Sequence, residues 1–84
     1  MVDVKREFEE GRIFCAAFTS SSIVRAFVQA NEGLDFTKVR AACIGKQTKA
    51  TADSFGMHTE MAEKATMDDL AELILRMWNA SGRL

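Results

Sequence analysis

Phe14-Cys15-Ala16-Ala17-Phe18-Thr19-Ser20-Ser21-Ser22-Ile23-Val24-Arg25-Ala26-Phe27-Val28 joins an unbroken apolar run to four consecutive hydroxyls and then to a helical pattern. Ile13 to Phe18 is apolar throughout, as a short strand covered on both faces requires, and such strands belong to parallel sheets. Ile23, Val24, Phe27 and Val28 then recur at helical spacing, so the period changes from strand to helix across the hydroxyl cluster. Ser and Thr oxygens accept hydrogen bonds from the free N–H groups of a first helical turn, which makes the cluster a set of N-caps. The same turn, at the carboxyl end of a strand and the start of a helix, also offers spare N–H donors and hydroxyls to an anion. Both readings stand at this point.

Outward from that stretch, 84 residues make one small domain with a thin core. Eleven basic and twelve acidic residues leave a formal charge of -1, without the basic excess that duplex nucleic acid or an anionic membrane selects. No apolar run approaches the roughly 20 residues that cross a bilayer, and Met1-Val2-Asp3-Val4-Lys5-Arg6 leads into charge, so a cytoplasmic protein is expected. Cys15 and Cys43 each sit inside an apolar run, spaced for neither a metal nor a redox motif, and read as buried free thiols. His58 is the one histidine and reads as a solvated or satisfied one. No cluster with the spacing of metal ligands is present.

Upstream, Val4 and Phe8 stand four apart among charges before Gly11, a short amphipathic helix over Val4 to Glu10 with a glycine C-cap. Downstream, the helix that follows the hydroxyls runs to Ala30 and ends at Asn31-Glu32-Gly33. Leu34-Asp35-Phe36 connects it to a second buried strand, Lys38 to Ile44. Gly45-Lys46-Gln47-Thr48 then repeats the first arrangement, a strand ending in a small polar turn that opens a helix. Ala50, Ala52 and Phe55 give that helix its apolar face, and Gly56 stops it. Met57 to Ala62 alternates as a third, more exposed strand, an edge. Thr66-Met67-Asp68-Asp69 fits a capping box in which Thr66 serves the helix N–H groups and Asp69 reaches back. Met67, Leu70, Ala71, Leu73, Ile74, Met77 and Trp78 form the wide apolar stripe of the last helix.

The alternation of helix and strand predicts an α/β fold of three layers, a short parallel sheet with helices on both faces. Ligands of such sheets bind beyond the carboxyl ends of the strands, where both polar turns lie. Three parallel strands are few, so residues 1–84 are expected to form one part of a larger doubly wound domain.

Ala17-Phe18-Thr19-Ser20-Ser21-Ser22 with Val24 and Phe27, Ala42-Cys43-Ile44-Gly45 with Thr48, and Ala62-Glu63-Lys64-Ala65-Thr66 ahead of Leu70 and Ile74 together resemble the C-terminal part of uroporphyrinogen-III synthase. The resemblance runs from about Phe8 to Met77. It implies a partial, flavodoxin-like domain of a two-domain enzyme with its active site in the cleft between domains, the chain being the product of a truncated reading frame, a fragment, or one half of a fusion with a tetrapyrrole methyltransferase. It further implies a lyase of haem, sirohaem and cobalamin biosynthesis, which closes the linear tetrapyrrole hydroxymethylbilane to uroporphyrinogen III with loss of water and inversion of the last pyrrole. The family uses no metal or organic cofactor. Its polycarboxylate substrate is suited to neutral N–H and hydroxyl donors at helix N-termini, and folding it so that its ends meet is a matter of positioning.

Carried onto this sequence, the resemblance implies substrate contact by Thr19, Ser20, Ser21 and Ser22 and by Gly45, Lys46 and Thr48. The family's cleft tyrosine has no counterpart, since this chain has no tyrosine, and no catalytic residue is assigned. The alternative is a non-catalytic anion-binding or regulatory α/β module of the receiver kind, but its strand ends would carry acids for Mg²⁺, and here they carry Thr, Ser and Gly. An exposed strand edge and the Leu70-Leu73-Ile74-Trp78 stripe lead to the expectation of a homo-oligomer.

Overall fold

In the computed structural model, which describes residues 4–82, helices and strands alternate as the hydrophobic pattern demands. They are α1 (Val4–Glu9), β1 (Ala16–Phe18), α2 (Ser21–Ala30), a 3₁₀ turn (Phe36–Lys38), β2 (Arg40–Cys43), α3 (Lys46–Ser54), β3 (His58–Met61) and α4 (Met67–Ala80). The expectation drawn from Met1-Val2-Asp3 falls outside the described residues.

The three strands form one parallel sheet in the order β1-β2-β3. Ala16 pairs with Ala41 and Phe18 with Cys43, while Arg40 pairs with His58 and Cys43 with Met61. Side chains alternate across a sheet, and so β2 feeds two cores. On one face Ala41 and Cys43 meet Phe8, Phe18, Val24, Leu34, Ala52 and Met57 beneath α1, α2 and α3. On the other, Ala42 meets Ala62, Leu70, Leu73 and Met77 beneath α4. Phe27 joins the first core together, standing edge-on to Phe8 at 5.8 Å and to Phe18 at 5.4 Å between ring centroids. The architecture is the expected one, an α/β sandwich of helices on both faces of a parallel sheet.

The strands are shorter than the apolar runs that encode them. Ile13, Phe14 and Cys15 stay outside β1 because β2 begins only at Arg40, and the residues before it are held in the Phe36–Lys38 turn capped by Asp35, whose Oδ1 accepts from Thr37 N at 3.0 Å. Strand length is thus set by what the partner strand offers. Phe14 instead stands edge-on to Trp78 at 5.1 Å, with the Arg40 guanidinium 5.0 Å above its ring.

Two helices also bury a narrower face than their patterns suggest. α3 rests on the sheet through Ala52 and Thr48, four apart, while Ala50 is exposed and Phe55 is 37 % exposed. Small residues at the contact let this nine-residue helix lie close to the sheet. α4 buries Leu70, Leu73 and Met77 but leaves Met67 66 % and Leu75 62 % exposed.

Candidate functional site

The carboxyl edge of the sheet gathers three helix starts. Ile44 N donates to Phe18 O at 3.0 Å and Ala62 N to Cys43 O at 2.9 Å, so the strand ends are tied in a row and the turns that leave them lie side by side. The candidate residues of the first two turns, Thr19 to Ser22 and Gly45 to Thr48, are thereby brought to one edge.

In the first turn the hydroxyls divide their work. Ser20 is the N-cap of α2, in extended conformation (φ -156, ψ 158), and its Oγ accepts from Ile23 N at 3.2 Å. Ser22 Oγ lies 3.1 Å from Ser20 Oγ. Thr19 and Ser22 are exposed and Ser21 is half-buried. One serine is committed to capping, and the remaining hydroxyls face outward or line the start of the helix.

The second turn has no side-chain cap. Gly45 holds φ 86 and ψ 152, a conformation that side chains with a Cβ avoid, and the space where a Cβ would stand is empty to 4 Å. The first bond into α3 is Lys49 N to Gly45 O at 3.2 Å, which leaves the N–H groups of Lys46, Gln47 and Thr48 without intrahelical acceptors. Lys46 is exposed, whereas Thr48 is buried at 5 % exposure, so a ligand at this turn meets the backbone and Lys46 before the Thr48 hydroxyl.

The third turn is capped and compensated. Thr66 Oγ1 accepts from Asp69 N at 3.2 Å, and the Asp69 carboxylate reaches back to Lys64 N at 2.9 Å and not to the N–H of Thr66 itself. The expected reciprocal box is therefore opened by two residues, because the bend after Ala62 turns the Lys64 amide toward the helix. Lys64 is exposed at this edge, a residue quoted above only as part of a motif; its place beside an N-cap is the signal that marks it.

Electrostatics separate these helix starts. α4 carries Asp68 and Asp69 in its first turn, the usual complement to the positive end of a helix dipole, whereas α2 and α3 carry no acid there. The two uncompensated ends are the ones whose turns hold the hydroxyls, Gly45 and Lys46. Such an arrangement holds carboxylates or phosphates by N–H and O–H donors without a strongly basic pocket.

Of the other reactive groups, Cys43 ends β2 at this edge but is buried, and Cys15 and His58 stand toward the amino ends of the strands. Cys15 is half-buried and Cys43 buried, both free, and burial pushes both thiols up, Cys43 to about 11, which suits neither to nucleophilic work. His58 is exposed at the amino end of β3, where with Arg40, Glu60 and Ser81 it lines a shallow hollow. Among the described residues no three His, Cys, Asp or Glu side chains come together as a metal site, and no helix is long and apolar enough to cross a membrane.

A curated relative, "Porphyrin biosynthesis protein HemD" of Ruminiclostridium josui, is 28 % identical over 74 residues, which are 88 % of this chain and 15 % of that protein. The chain thus spans about a seventh of the relative's length. No solved structure matches. The family profile described as "Uroporphyrinogen-III synthase HemD" matches residues 2–72 and so takes in β1, β2, β3 and both hydroxyl-bearing turns. By that match the chain belongs to the uroporphyrinogen-III synthase HemD family.

Proposed function

We propose that residues 1–84 form part of one domain of a two-domain uroporphyrinogen-III synthase, a lyase that closes hydroxymethylbilane to uroporphyrinogen III in cytoplasmic tetrapyrrole synthesis. The single observation that carries the reading is the pair of uncompensated helix starts at the carboxyl edge, held side by side by the Ile44 N to Phe18 O bond. In this reading Thr19, Ser21 and Ser22 donate hydroxyl hydrogen bonds to substrate carboxylates. Gly45 lets the backbone N–H groups of Lys46 and Gln47 approach them, Lys46 adds charge, and Ser20 and Thr48 shape the turns that present the donors. Their work is positioning: they hold the carboxylates while the ends of a flexible chain meet. Loss of hydroxide needs a proton donor, which the remainder of the enzyme supplies.

Two measurements test this. Uroporphyrinogen I, the product of spontaneous closure, is titrated against the chain under anaerobic conditions. Binding is expected to weaken about tenfold in the Ser21→Ala, Lys46→Ala double variant, the loss of one charge-assisted and one neutral hydrogen bond. Equal affinity for wild type and variant would remove the turns from the site. Incubation with freshly generated hydroxymethylbilane, followed by separation of the type I and type III isomers, then reads activity, and type III above the spontaneous background is the mark of a working cleft.

A further inference from the structure

At the amino edge of the sheet, opposite the hydroxyl-bearing turns, β2, β3 and the end of α4 surround a shallow hollow. Its lining follows from register. Ala42 faces α4 and is buried there, and side chains alternate along a strand, so Arg40 points to the same face. Arg40 pairs with His58 and Ala42 with Glu60, which puts His58 and Glu60 on that face too. α4 starts at the carboxyl edge and runs back across the sheet, so its last turn meets these side chains. There Ala80 and Ser81 are small and leave open the space that larger residues would fill. The hollow measures about 390 Å³, with Met77 as its buried floor and Arg40, His58, Glu60, Ala80 and Ser81 around it. That size is within the range of small-molecule sites.

The charges around the hollow are of both signs and are not paired with one another. Arg40 is half-buried, and its guanidinium stands 5.0 Å over the Phe14 ring, a contact that fixes the cation while leaving its in-plane N–H donors for an acceptor. Among the described residues no carboxylate forms an ion pair with Arg40, and no cation pairs with Glu60. The two stand one strand and two residues apart, about 8 Å between Cα atoms. α4 adds negative partial charge, because the last carbonyls of a helix point out of its C-terminus and this last turn holds no basic residue. A plain anion would meet Arg40 but be repelled by Glu60 and the helix end. A plain cation would meet those two but be repelled by Arg40. A small molecule that carries both charges satisfies both sides.

We propose that this hollow binds a free α-amino acid with an apolar side chain. Its carboxylate accepts from the Arg40 guanidinium and the neighbouring His58 ring, its ammonium donates to the Glu60 carboxylate, and its side chain covers Met77 and Ala80. Arg40 and Cys43 are three residues apart on β2, so about 10 Å of strand separates the hollow from the carboxyl edge. The site therefore stands apart from the turns at Thr19 to Ser22 and Gly45 to Thr48, and it does not rest on the function proposed above.

The probe is L-leucine, titrated against the whole chain while backbone amide shifts are followed by NMR. Isoamylamine and isocaproate serve as analogues that lack the carboxylate and the ammonium. Saturable shifts are expected at Arg40, His58, Glu60 and Ser81, with a dissociation constant on the order of 1 mM, as two charge-assisted contacts in an open hollow provide. Each analogue with the wild-type chain, and L-leucine with Arg40→Met or with Glu60→Gln, is expected to bind about tenfold more weakly, the loss of one such contact. Glu60→Gln alters an exposed side chain only, so it tests the site even where Arg40→Met fails to fold. Ser21→Ala, at the other edge, is expected to bind L-leucine as the wild type does. Shifts that rise without saturating, an analogue that binds as tightly as L-leucine, or unchanged affinity in Glu60→Gln would each overturn the proposal. So would an Arg40→Met variant that loses stability but keeps its affinity, which would assign Arg40 to the helix end alone. No tetrapyrrole is present, so these failures leave the ligand assignment of the turns untouched.

Discussion

Cys43 shows how much one buried group decides in a domain this small. It lies at zero exposure in the central strand, and desolvation, with a smaller contribution from the charge of Asp53, moves its thiol from 9.0 to about 11. The unfolded chain releases this proton near pH 9 and the folded chain holds it until about pH 11. Between those values the unfolded state binds fewer protons, so stability is complete below pH 9 and declines as the pH rises toward 11. Urea midpoints measured from pH 8 to 11 are expected to fall, and Cys43→Ala is expected to flatten the fall, leaving the slope owed to Cys15. Parallel curves for the two proteins would mean that burial of this thiol is not what the alkaline limb reports. Both cysteines were legible as buried free thiols from their apolar neighbours, and Cys43 is buried whereas Cys15 is half-buried. Less legible were Thr48, buried although polar, and Ile23, 46 % exposed although apolar. Their exposure depends on how closely α3 approaches the sheet and on the rotation of α2, which no local pattern carries.

At the scale of elements, the helix starts and stops were written in the sequence and the strand lengths were not. Ser20 and Thr66 cap α2 and α4, and Gly11 and Gly56 follow the ends of α1 and α3, because these signals act within a few residues of the backbone groups they satisfy. β1 has three residues where its apolar run has six, since pairing is decided by the distant residues of β2. The four-hydroxyl turn illustrates both limits: its position was legible, but which serine caps depends on one bond, Ile23 N to Ser20 Oγ. Ser20→Ala is accordingly expected to cost about 1 kcal/mol of stability, the usual loss of an N-cap. Ser22→Ala, removing a hydroxyl that bonds only its neighbour at the surface, is expected to cost a few tenths. Denaturant midpoints compare them directly. Equal losses would show the capping to be shared, and with it the division of labour between structure and ligand in this turn.

For the whole molecule, the arrangement of cores implies a graded stability. β2 alone is paired on both sides and covered on both faces: Ala41, Ala42 and Cys43 are fully buried, and each core cluster takes residues from it. β1 lacks cover on the α4 face and on its outer edge, and β3 is largely exposed. The radius of gyration, 12.2 Å, agrees with the roughly 12 Å of a compact chain of this length, so the unevenness lies in the distribution of cover and not in loose packing. Local opening costs least where few apolar contacts must break. Native-state hydrogen exchange is therefore expected to rank the strands, with the amides of Ala41 to Cys43 exchanging only through global unfolding and those of β1 and β3 through smaller openings that respond weakly to urea. Uniform exchange, with all three strands following one urea dependence, would show that the chain unfolds as a single unit despite its bare edge. That outcome would mean that the open edge and uncovered face of β1 cost it no local stability, because local opening is easy only where few apolar contacts must break.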